Sequence, residues 1–263
     1  MQNDWLATLQ KQRRQWIKKR GKKILRALFS YLGKQSLVGN DPVFHAEQFS
    51  WAVQLERNFP AIRQELQALL DMREFIPLFH ELSPDQQKIS IGNNWKTFFL
   101  MGFGYQATQG WKRCPKTMSI LNTIPNVRTA FFSILGPDYH IPRHRGVTKG
   151  LIRCHLGLVV PEQREQCFMR VHDQFCHWEE GRCLVFDDTF DHEVWNQTNQ
   201  ERIVLLVDVD RPMRLLGRVV SRILYLGIRK SGYVQDVRQN LKKWEALFDE
   251  AESRRRASVS ECV

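Results

Sequence analysis

The sequence contains no apolar run of about 18 residues, the length at which a helix can cross a bilayer. Its basic N-terminus is interrupted by Gln and Lys before an apolar signal-peptide segment can form, so we predict no secretory signal. The six cysteines include no C-x-x-C pair, which argues against a structural zinc site. A chain of 263 residues buries enough core to fold without disulfides, so we expect reduced thiols and a cytoplasmic protein.

Positive charge is scarce in the middle of the chain, although the net charge is +11. Residues 1–34 carry ten Lys or Arg and one acid, and residues 211–263 carry twelve and six, which gives +9 and +6. The 17 basic and 21 acidic residues between these two segments give −4. A mildly acidic body lacks the basic groove that nucleic acid requires, so we expect no nucleic-acid partner.

Two basic amphipathic segments flank this body: WIKKRGKKILRALFSYLGK and RPMRLLGRVVSRILYLGIRK. Each has apolar residues at helical spacing, with Lys or Arg beside them. Such helices can lie on an anionic membrane surface, or they can pack the apolar stripe on the core and leave the basic groups in solvent. The two alternatives are evenly balanced here. The first places residues 1–34 and 211–230 against the inner face of a membrane.

From about Trp95 the chain changes to short β-rich runs such as TAFFSIL, LIRCHLGLVV and RIVLLVDVD. Many short strands at close spacing are typical of a sandwich or barrel. We therefore predict a central domain at 41–212, with its β core at about 95–212. A helical segment at 1–40 precedes this domain, and a helical extension with a frayed tail follows it at 213–263.

Chemically distinctive side chains share one face of the strand LIRCHLGLVV. Because side chains alternate between faces, Leu151, Arg153 and His155 lie on the same side. The opposite face, from Ile152 to Leu158, is apolar apart from a thiol, and we expect it to point into the packing between two sheets. A buried arginine needs an anion, and for Arg153 a ligand carboxylate and a protein Asp or Glu are equally good candidates.

Further histidines and arginines stand at loop and strand boundaries. His140 and His144 lie in the Pro- and Gly-containing loop ILGPDYHIPRHRG, and His192 lies beyond the end of the strand CLVFDD. Arg202 opens the apolar strand IVLLVDV, where a guanidinium can bind both oxygens of a carboxylate. Imidazole ligands suit iron, so His144 and His192 suggest a ferrous site, although no compact spacing links them.

Three motifs resemble those of a known family. HLGLVVP at 155–161, WEEGRCLVFDDTFDHEVW at 178–195 and CPKT at 114–117 are similar to motifs in the catalytic domain of the aspartyl/asparaginyl β-hydroxylases. These enzymes are Fe(II)- and 2-oxoglutarate-dependent dioxygenases, and the resemblance runs from about Trp95 to Pro212. It implies a mainly β fold, with a double-stranded β-helix (jelly-roll, cupin-like) core and α-helices at both ends. It also implies that the protein uses Fe(II), 2-oxoglutarate and O2.

The resemblance assigns roles to individual residues. The two iron ligands of the family fall on His144 and His192. The arginine that precedes the HLGL histidine by two residues falls on Arg153, at the C1 carboxylate of 2-oxoglutarate or at the substrate, and joins the two histidines in the catalytic set. The other contacts of 2-oxoglutarate fall on Ser133, His155 and Arg202.

Two positions depart from the patterns of related oxygenases. Leu151 stands where the family has a further arginine, which weakens the inference that the substrate is the same acidic side chain. Gly146 stands where many related enzymes carry the carboxylate of a His-x-Asp or His-x-Glu motif. Water should then fill the third ligand position, with chloride or the carboxylate of Asp188 or Glu193 as alternatives. Of the two acids in the FDD motif, Asp187 and Asp188, we expect one to serve the site and the other to form the turn.

Three functions compete at this point. The first is hydroxylation of an unactivated carbon, namely the β-carbon of an aspartyl or asparaginyl residue in a peptide or protein. The second is hydroxylation of a lipid acyl chain at the membrane surface, because DVDRPMR at 208–214 resembles the segment after the barrel of the bacterial lipid A hydroxylases. The third is a non-enzymatic membrane-surface binding module, against which the complete set of His144, His192, Ser133 and Arg202 argues. The motifs favour the first, and they leave the oligomeric state open.

Overall fold

The computed structural model describes residues 24–260, apart from the side chains of residues 251 and 255–260. Residues 1–23 of the predicted N-terminal segment and residues 261–263 lie outside the described residues. The α-helices of the described residues are α1 (24–35), α2 (Ser50–Arg57), α3 (Phe59–Leu70), α4 (Phe79–Leu82), α5 (Thr108–Arg113), α6 (Pro115–Thr123), α7 (Leu215–Lys230) and α8 (Gly232–Ser260). Their strands are β1 (Val43–Phe44), β2 (Trp95–Gly102), β3 (Tyr105–Gln106), β4 (Val127–Leu135), β5 (Tyr139–His144), β6 (Leu151–Val159), β7 (Cys167–Val171), β8 (Gln174–His177), β9 (Cys183–Phe186), β10 (His192–Asn196) and β11 (Arg202–Asp210).

The strands form two antiparallel sheets that pack face to face. The larger sheet has the order β1-β9-β6-β11-β4-β2-β3, and the smaller has the order β5-β10-β7-β8. From β4 onward the chain passes back and forth between the sheets, so that β6, β9 and β11 join the larger one and β5, β7, β8 and β10 join the smaller. This winding is a double-stranded β-helix with helices outside it, and the predicted fold class is confirmed.

The larger sheet is buried on both faces. One face packs on the smaller sheet, where Leu135 and Phe186 meet Met169 and Val194. The other face packs on a helical layer formed by α2, α3, α6 and α8. A strand that is covered on both sides needs apolar residues on both sides, which accounts for the long apolar runs of β4 and β11.

The orientation of β6 differs from the expectation. Its apolar face, which includes Ile152, Cys154 and Leu156, packs on the helices and not between the sheets. The alternation of side chains was predicted correctly, but the outer helical layer supplies a second apolar surface for the strand to bury. The face that carries Arg153 and His155 therefore looks into the space between the two sheets.

Helix α8 is part of the core. Leu241, Trp244 and Phe248 are buried against the larger sheet, and the Trp244 indole donates a hydrogen bond to the Phe75 carbonyl at 2.6 Å. The helix continues to Ser260, through most of the segment that the composition had predicted to fray. The proposed domain boundaries at 40/41 and 212/213 stay predictions.

Helix α7 lies on the surface of the molecule. It fully buries only Gly217 and Tyr225. The apolar stripe was expected either to pack on the core or to meet a membrane, and most of it is exposed, with Val220 and Leu224 half-buried. The rest of the protein therefore covers the stripe only in part, and contact with a membrane stays a prediction. In α1, Leu32 is buried and Ile24 is exposed, so its stripe is covered only towards its C-terminal end. Among residues 24–260, no helix combines the length and the apolar content needed to span a membrane.

Candidate active site

Two histidines meet at the end of the smaller sheet. Strands β5 and β10 are antiparallel neighbours, and their register places His192 directly opposite His144. The centroids of the two imidazole rings are 4.1 Å apart. The closeness comes from strand pairing, because residues at matched positions on adjacent antiparallel strands bring their side chains together on one face.

Each imidazole is oriented by the backbone carbonyl two residues before it. The Nδ1 atom of His144 lies 2.7 Å from the carbonyl oxygen of Pro142, and the Nδ1 atom of His192 lies 3.0 Å from that of Phe190. A carbonyl oxygen only accepts, so Nδ1 carries the proton in both rings and Nε2 keeps its lone pair. A hydrogen bond of this kind from the distal nitrogen is typical of histidines that bind a metal ion.

Both imidazoles are held in the neutral form that a metal ion requires. Burial lowers the pKa of His144 to about 4, with Arg153 adding to the effect. Burial and the neighbouring His144 together lower the pKa of His192 to about 3. At neutral pH the pair therefore offers two uncharged nitrogen donors without prior loss of a proton.

Gly146 leaves room for a carboxylate next to this pair of histidines. A Cβ atom built on Gly146 would lie 2.2 Å from the carboxylate of Asp188, so Asp188 occupies the space that a side chain at position 146 would need. The amide of Gly146 also donates to the Asp188 carbonyl at 2.6 Å. Burial raises the pKa of Asp188 to about 6 against the opposing charge of Arg153.

Among the described residues, no third candidate metal ligand accompanies the two histidines. Within residues 24–260 there is no group of three His, Cys, Asp or Glu side chains arranged to hold a metal ion. Glu193 points to the other face of β10 and accepts a hydrogen bond from Arg170 Nε at 2.8 Å. Among the described residues, the arrangement therefore brings two imidazoles together without a third candidate ligand, and what would fill a third position beside Gly146 stays a prediction.

A cationic pocket lies between the sheets beside the histidines. Arg202, at the start of β11, is only 1% exposed, and its Nε and Nη1 atoms have no hydrogen-bond partner. Its guanidinium lies over the Trp178 ring at 4.7 Å. Burial without a carboxylate partner lowers the pKa of Arg202 to about 10. An unpaired buried cation of this kind is the strongest sign in the structure of an anionic ligand.

Ser133 and His155 share this pocket, because β4 and β6 flank β11 on its two sides. The Ser133 hydroxyl accepts a hydrogen bond from the Trp95 indole at 3.0 Å, which leaves its own proton free to donate. Both ring nitrogens of His155 are buried and lack a partner. Burial and the charge of Arg202 hold the pKa of His155 well below its usual range, so the ring is neutral and can donate one hydrogen bond.

The guanidinium of Arg153 is paired with carboxylates of the protein itself. Its Nε and Nη2 atoms bind the two oxygens of Asp208 at 2.8 and 2.9 Å, and Nη2 is 3.2 Å from Asp188. Burial opposes the charge, but the carboxylates of Asp208 and Asp188 outweigh it and raise the pKa of Arg153. Of the two candidates for its partner, the protein carboxylate is the one observed. Arg153 still borders the site, with 22% of its side chain exposed.

The two acids of the FDD motif have different surroundings. Asp187 accepts hydrogen bonds from the amide and the hydroxyl of Thr189 at 3.0 and 2.6 Å, and it forms buried ion pairs with Lys149 and Arg211. Asp187 thus builds the turn, while Asp188 lines the cavity beside Gly146. The contacts with Lys149 and Arg211 could not be predicted from the sequence, because these residues are remote from Asp187 along the chain.

A single cavity connects these groups to the surface. It has a volume of about 140 Å³ and contains all six predicted site residues among those that line it. Most of its remaining wall is apolar, and it includes Phe79, Phe99, Phe103, Phe131, Leu151 and Val237. Tyr233 and Val237 belong to α8, and sequence reasoning missed them because they lie after the motifs and form no pattern with them.

The fold and the site define a class of protein: a jelly-roll protein with two facing histidines and a cationic pocket between its sheets. Residues 56–212 match the sequence profile of the family described as aspartyl/asparaginyl beta-hydroxylase. The match covers more than half of the chain, so the chain belongs to this hydroxylase family.

Two curated relatives and one solved structure illustrate the range of similarity. The chain is 42% identical over 215 residues to an ornithine lipid ester-linked acyl 2-hydroxylase of Rhizobium tropici, which covers 82% of this chain and 76% of that protein. It is 34% identical over 163 residues to the human aspartyl/asparaginyl beta-hydroxylase, which covers 60% of this chain and 21% of that protein. A prolyl-4-hydroxylase of Pseudomonas putida superposes with a TM-score of 0.41 and 15% identity, over 58% of this chain and 87% of the other.

Proposed function

We propose that the protein is an Fe(II)- and 2-oxoglutarate-dependent dioxygenase that hydroxylates an acyl chain of a membrane lipid. The observation that carries the proposal is the buried, unpaired guanidinium of Arg202, which lies in one cavity with two neutral, backbone-oriented histidines. A buried cation without a partner is suited to bind a carboxylate. Two facing nitrogen donors are suited to bind a metal ion. Membership of a hydroxylase family supports an enzyme over a binding module.

The residues present fit both groups. His144 and His192 would hold the ferrous ion through Nε2, since Nδ1 of each is engaged with a carbonyl. Arg202 and the Ser133 hydroxyl would hold the distal carboxylate of 2-oxoglutarate by charge-assisted hydrogen bonds. His155 adds a neutral donor on the neighbouring strand. When bound, the iron and 2-oxoglutarate supply oxidising power: O2 is consumed, 2-oxoglutarate becomes succinate and CO2, and a substrate C–H becomes C–OH.

The protein's own contribution is orientation and exclusion of water. The carbonyls of Pro142 and Phe190 fix the two imidazole rings, so the donors need no rearrangement when the metal ion arrives. Arg153 is fixed by Asp208 and holds the buried Asp188 carboxylate in the space beside Gly146. The aromatic wall of the cavity keeps bulk water away from the reacting carbon.

The choice of substrate class rests on the apolar wall of the cavity and on Leu151, which replaces an arginine of the family. The motifs alone favoured the β-carbon of an aspartyl or asparaginyl residue, whose carboxylate or amide needs polar contacts. Leu151 stands at the position of the family's additional arginine and lines the cavity together with phenylalanines, which suits an acyl chain better. The extensive similarity to the Rhizobium tropici acyl 2-hydroxylase supports the same choice, with the ester-linked acyl chain of an ornithine lipid as the first substrate to test.

The test is a turnover assay with purified full-length protein. Fe(II), 2-oxoglutarate and an ornithine lipid in detergent micelles should give succinate and a lipid that carries one additional oxygen atom, detected by mass spectrometry. His192→Ala should give neither product. Succinate formation that responds to Asp- or Asn-containing peptides and not to lipid would restore the peptide substrate, and no turnover with either would reject the proposed activity.

A further inference from the structure

An exposed apolar surface covers the outer side of α7. We call it the α7 face: Leu215, Leu216, Val219, Ile223 and Leu226, which are between 45% and 66% exposed. The buried residues of the helix, Gly217 and Tyr225, lie on its opposite side. Large apolar side chains scattered singly are common on protein surfaces, but five on one side of a single helix form a contiguous patch that favours an interaction.

A row of arginines runs beside this face. Arg214, Arg218 and Arg222 follow each other at intervals of four residues, so they share one side of the helix. All three are exposed, and none pairs with a carboxylate among residues 24–260. An apolar strip with unpaired cations along its edge is complementary to a bilayer surface that contains anionic headgroups.

The face extends onto the segment after α1. The amide of Arg214 donates to the Gln35 carbonyl at 2.9 Å, and Gly217 lies against the Gln35 side chain. Leu37 is 61% exposed and borders the same surface groove as Leu215. The C-terminal end of α1 and the N-terminal end of α7 therefore meet at one corner of the described part of the molecule.

The other end of α7 reaches the mouth of the active-site cavity. Gly227 and Ile228 border a groove together with Val147 and Tyr233, and the last two residues also line the cavity. Val147 is 52% exposed, so the cavity opens to solvent at this point. A surface that engaged α7 along its length would lie next to the entrance of the site.

We infer that the α7 face docks the protein on an anionic phospholipid bilayer and thereby brings the cavity mouth to the lipid surface. This inference rests on the proposed lipid substrate, because that substrate explains why docking would be useful. The evidence for the docking surface itself is independent: the exposed α7 face and its arginine row. Charge argues against two other occupants. A second copy would bring arginine rows together, and residues 1–23, which hold eight Lys or Arg and one Asp, would add further positive charge.

The test is vesicle sedimentation of the full chain without iron or 2-oxoglutarate. Vesicles of phosphatidylcholine are compared with vesicles that also contain phosphatidylglycerol, and the wild type should bind the second kind alone and lose binding as salt is raised. Replacing both Arg218 and Arg222 by Gln should weaken partitioning by about 25-fold, at about 5-fold for each charge near the surface. Ile223→Glu should reduce it at least as strongly. Phe175→Glu is the matched control, because Phe175 is 64% exposed but lies on β8 of the smaller sheet, away from α7. This substitution should leave binding unchanged.

The outcomes separate this inference from the proposed function. Circular dichroism of each variant first establishes that the exposed substitutions leave the fold intact. Ile223→Glu should then retain turnover on lipid in micelles and lose it on vesicles. Vesicle binding by the wild type without hydroxylation of any lipid would leave the docking surface standing and reject the substrate. Equal binding by the wild type, Ile223→Glu and the Arg218/Arg222 variant, or self-association that the Ile223 variant abolishes, would overturn the docking surface while the turnover assay stands.

Discussion

Replacement of Arg202 by methionine should make the ligand-free protein more stable and should raise the concentration of 2-oxoglutarate that the enzyme requires. Burial without a partner lowers the pKa of Arg202 to about 10, so the folded protein holds this cation less favourably than the unfolded chain does. A depression of that size corresponds to about 3 kcal/mol of lost stability at neutral pH. Methionine fills much of the same volume without charge but gives up the contact with Trp178, worth about 1–2 kcal/mol. The net expectation is a gain of about 1–2 kcal/mol.

The measurement is the unfolding temperature with and without 2-oxoglutarate. For a chain of this size the gain should appear as a rise of about 2–8 °C in the ligand-free state. 2-Oxoglutarate should stabilise the wild type and should have no effect on the variant, because loss of the charged partner weakens binding by about 2–4 kcal/mol. Steady-state kinetics should show the same loss as a requirement for 2-oxoglutarate raised at least about 30-fold.

Arg211→Met is the matched control, because Arg211 is also buried but pairs with Asp187 inside the protein. Removing this guanidinium leaves Asp187 with Lys149 as its one cationic partner among the described residues and should destabilise the protein by about 3 kcal/mol, the opposite sign to Arg202→Met. The reasoning is refuted if Arg202→Met lowers the unfolding temperature as Arg211→Met does and 2-oxoglutarate still raises it. The guanidinium of Arg202 would then be structural, and the dicarboxylate would bind elsewhere.

Three further substitutions test the remaining parts of the site. His192→Ala should abolish Fe(II) binding in anaerobic calorimetry. His140→Ala, on the exposed side of the adjacent strand, is the control and should bind Fe(II) as the wild type does. Retained binding by His192→Ala would assign the metal to other residues. Gly146→Ala should lower the free energy of unfolding in urea by about 1–3 kcal/mol because its Cβ meets the Asp188 carboxylate, and adding Asp188→Ala should recover part of that loss; a neutral single variant would mean that Asp188 moves freely. Leu151→Arg should lower kcat/KM for lipid at least about 10-fold by placing a cation in the apolar wall, and unchanged turnover would remove Leu151 from the path of the acyl chain.

Much of the fold and the site could be predicted because the signals are local. The alternation of side chains in β6 places Arg153 and His155 on one face whatever surrounds the strand. The motif around His192 combines a strand end, a turn built by Asp187 and a ring held by a carbonyl two residues earlier, all within a short stretch of chain. The many short apolar runs predicted a barrel-like sheet protein for the same reason: the periodicity of two survives any tertiary arrangement.

Many contacts between distant segments could not be predicted. The sequence left Arg153 with two equally good anions, and only the register of β6 with β11 places Asp208 beside it. Arg202, by contrast, has no carboxylate partner among the described residues. Two arginines near the site thus have opposite electrostatic situations, and this difference is what points to a ligand.

The sequence by itself determined which residues share a strand face, which motif turns the chain at His192, and that both ends of the chain are basic and amphipathic. Only the tertiary structure decided what covers each of those faces. The apolar side of β6 packs on helices, the apolar side of α7 faces solvent, and α8 completes the cavity wall. The physical reason is that periodicity records how side chains are distributed around a helix or strand, whereas the partner of each face is set by contacts between segments far apart in the chain.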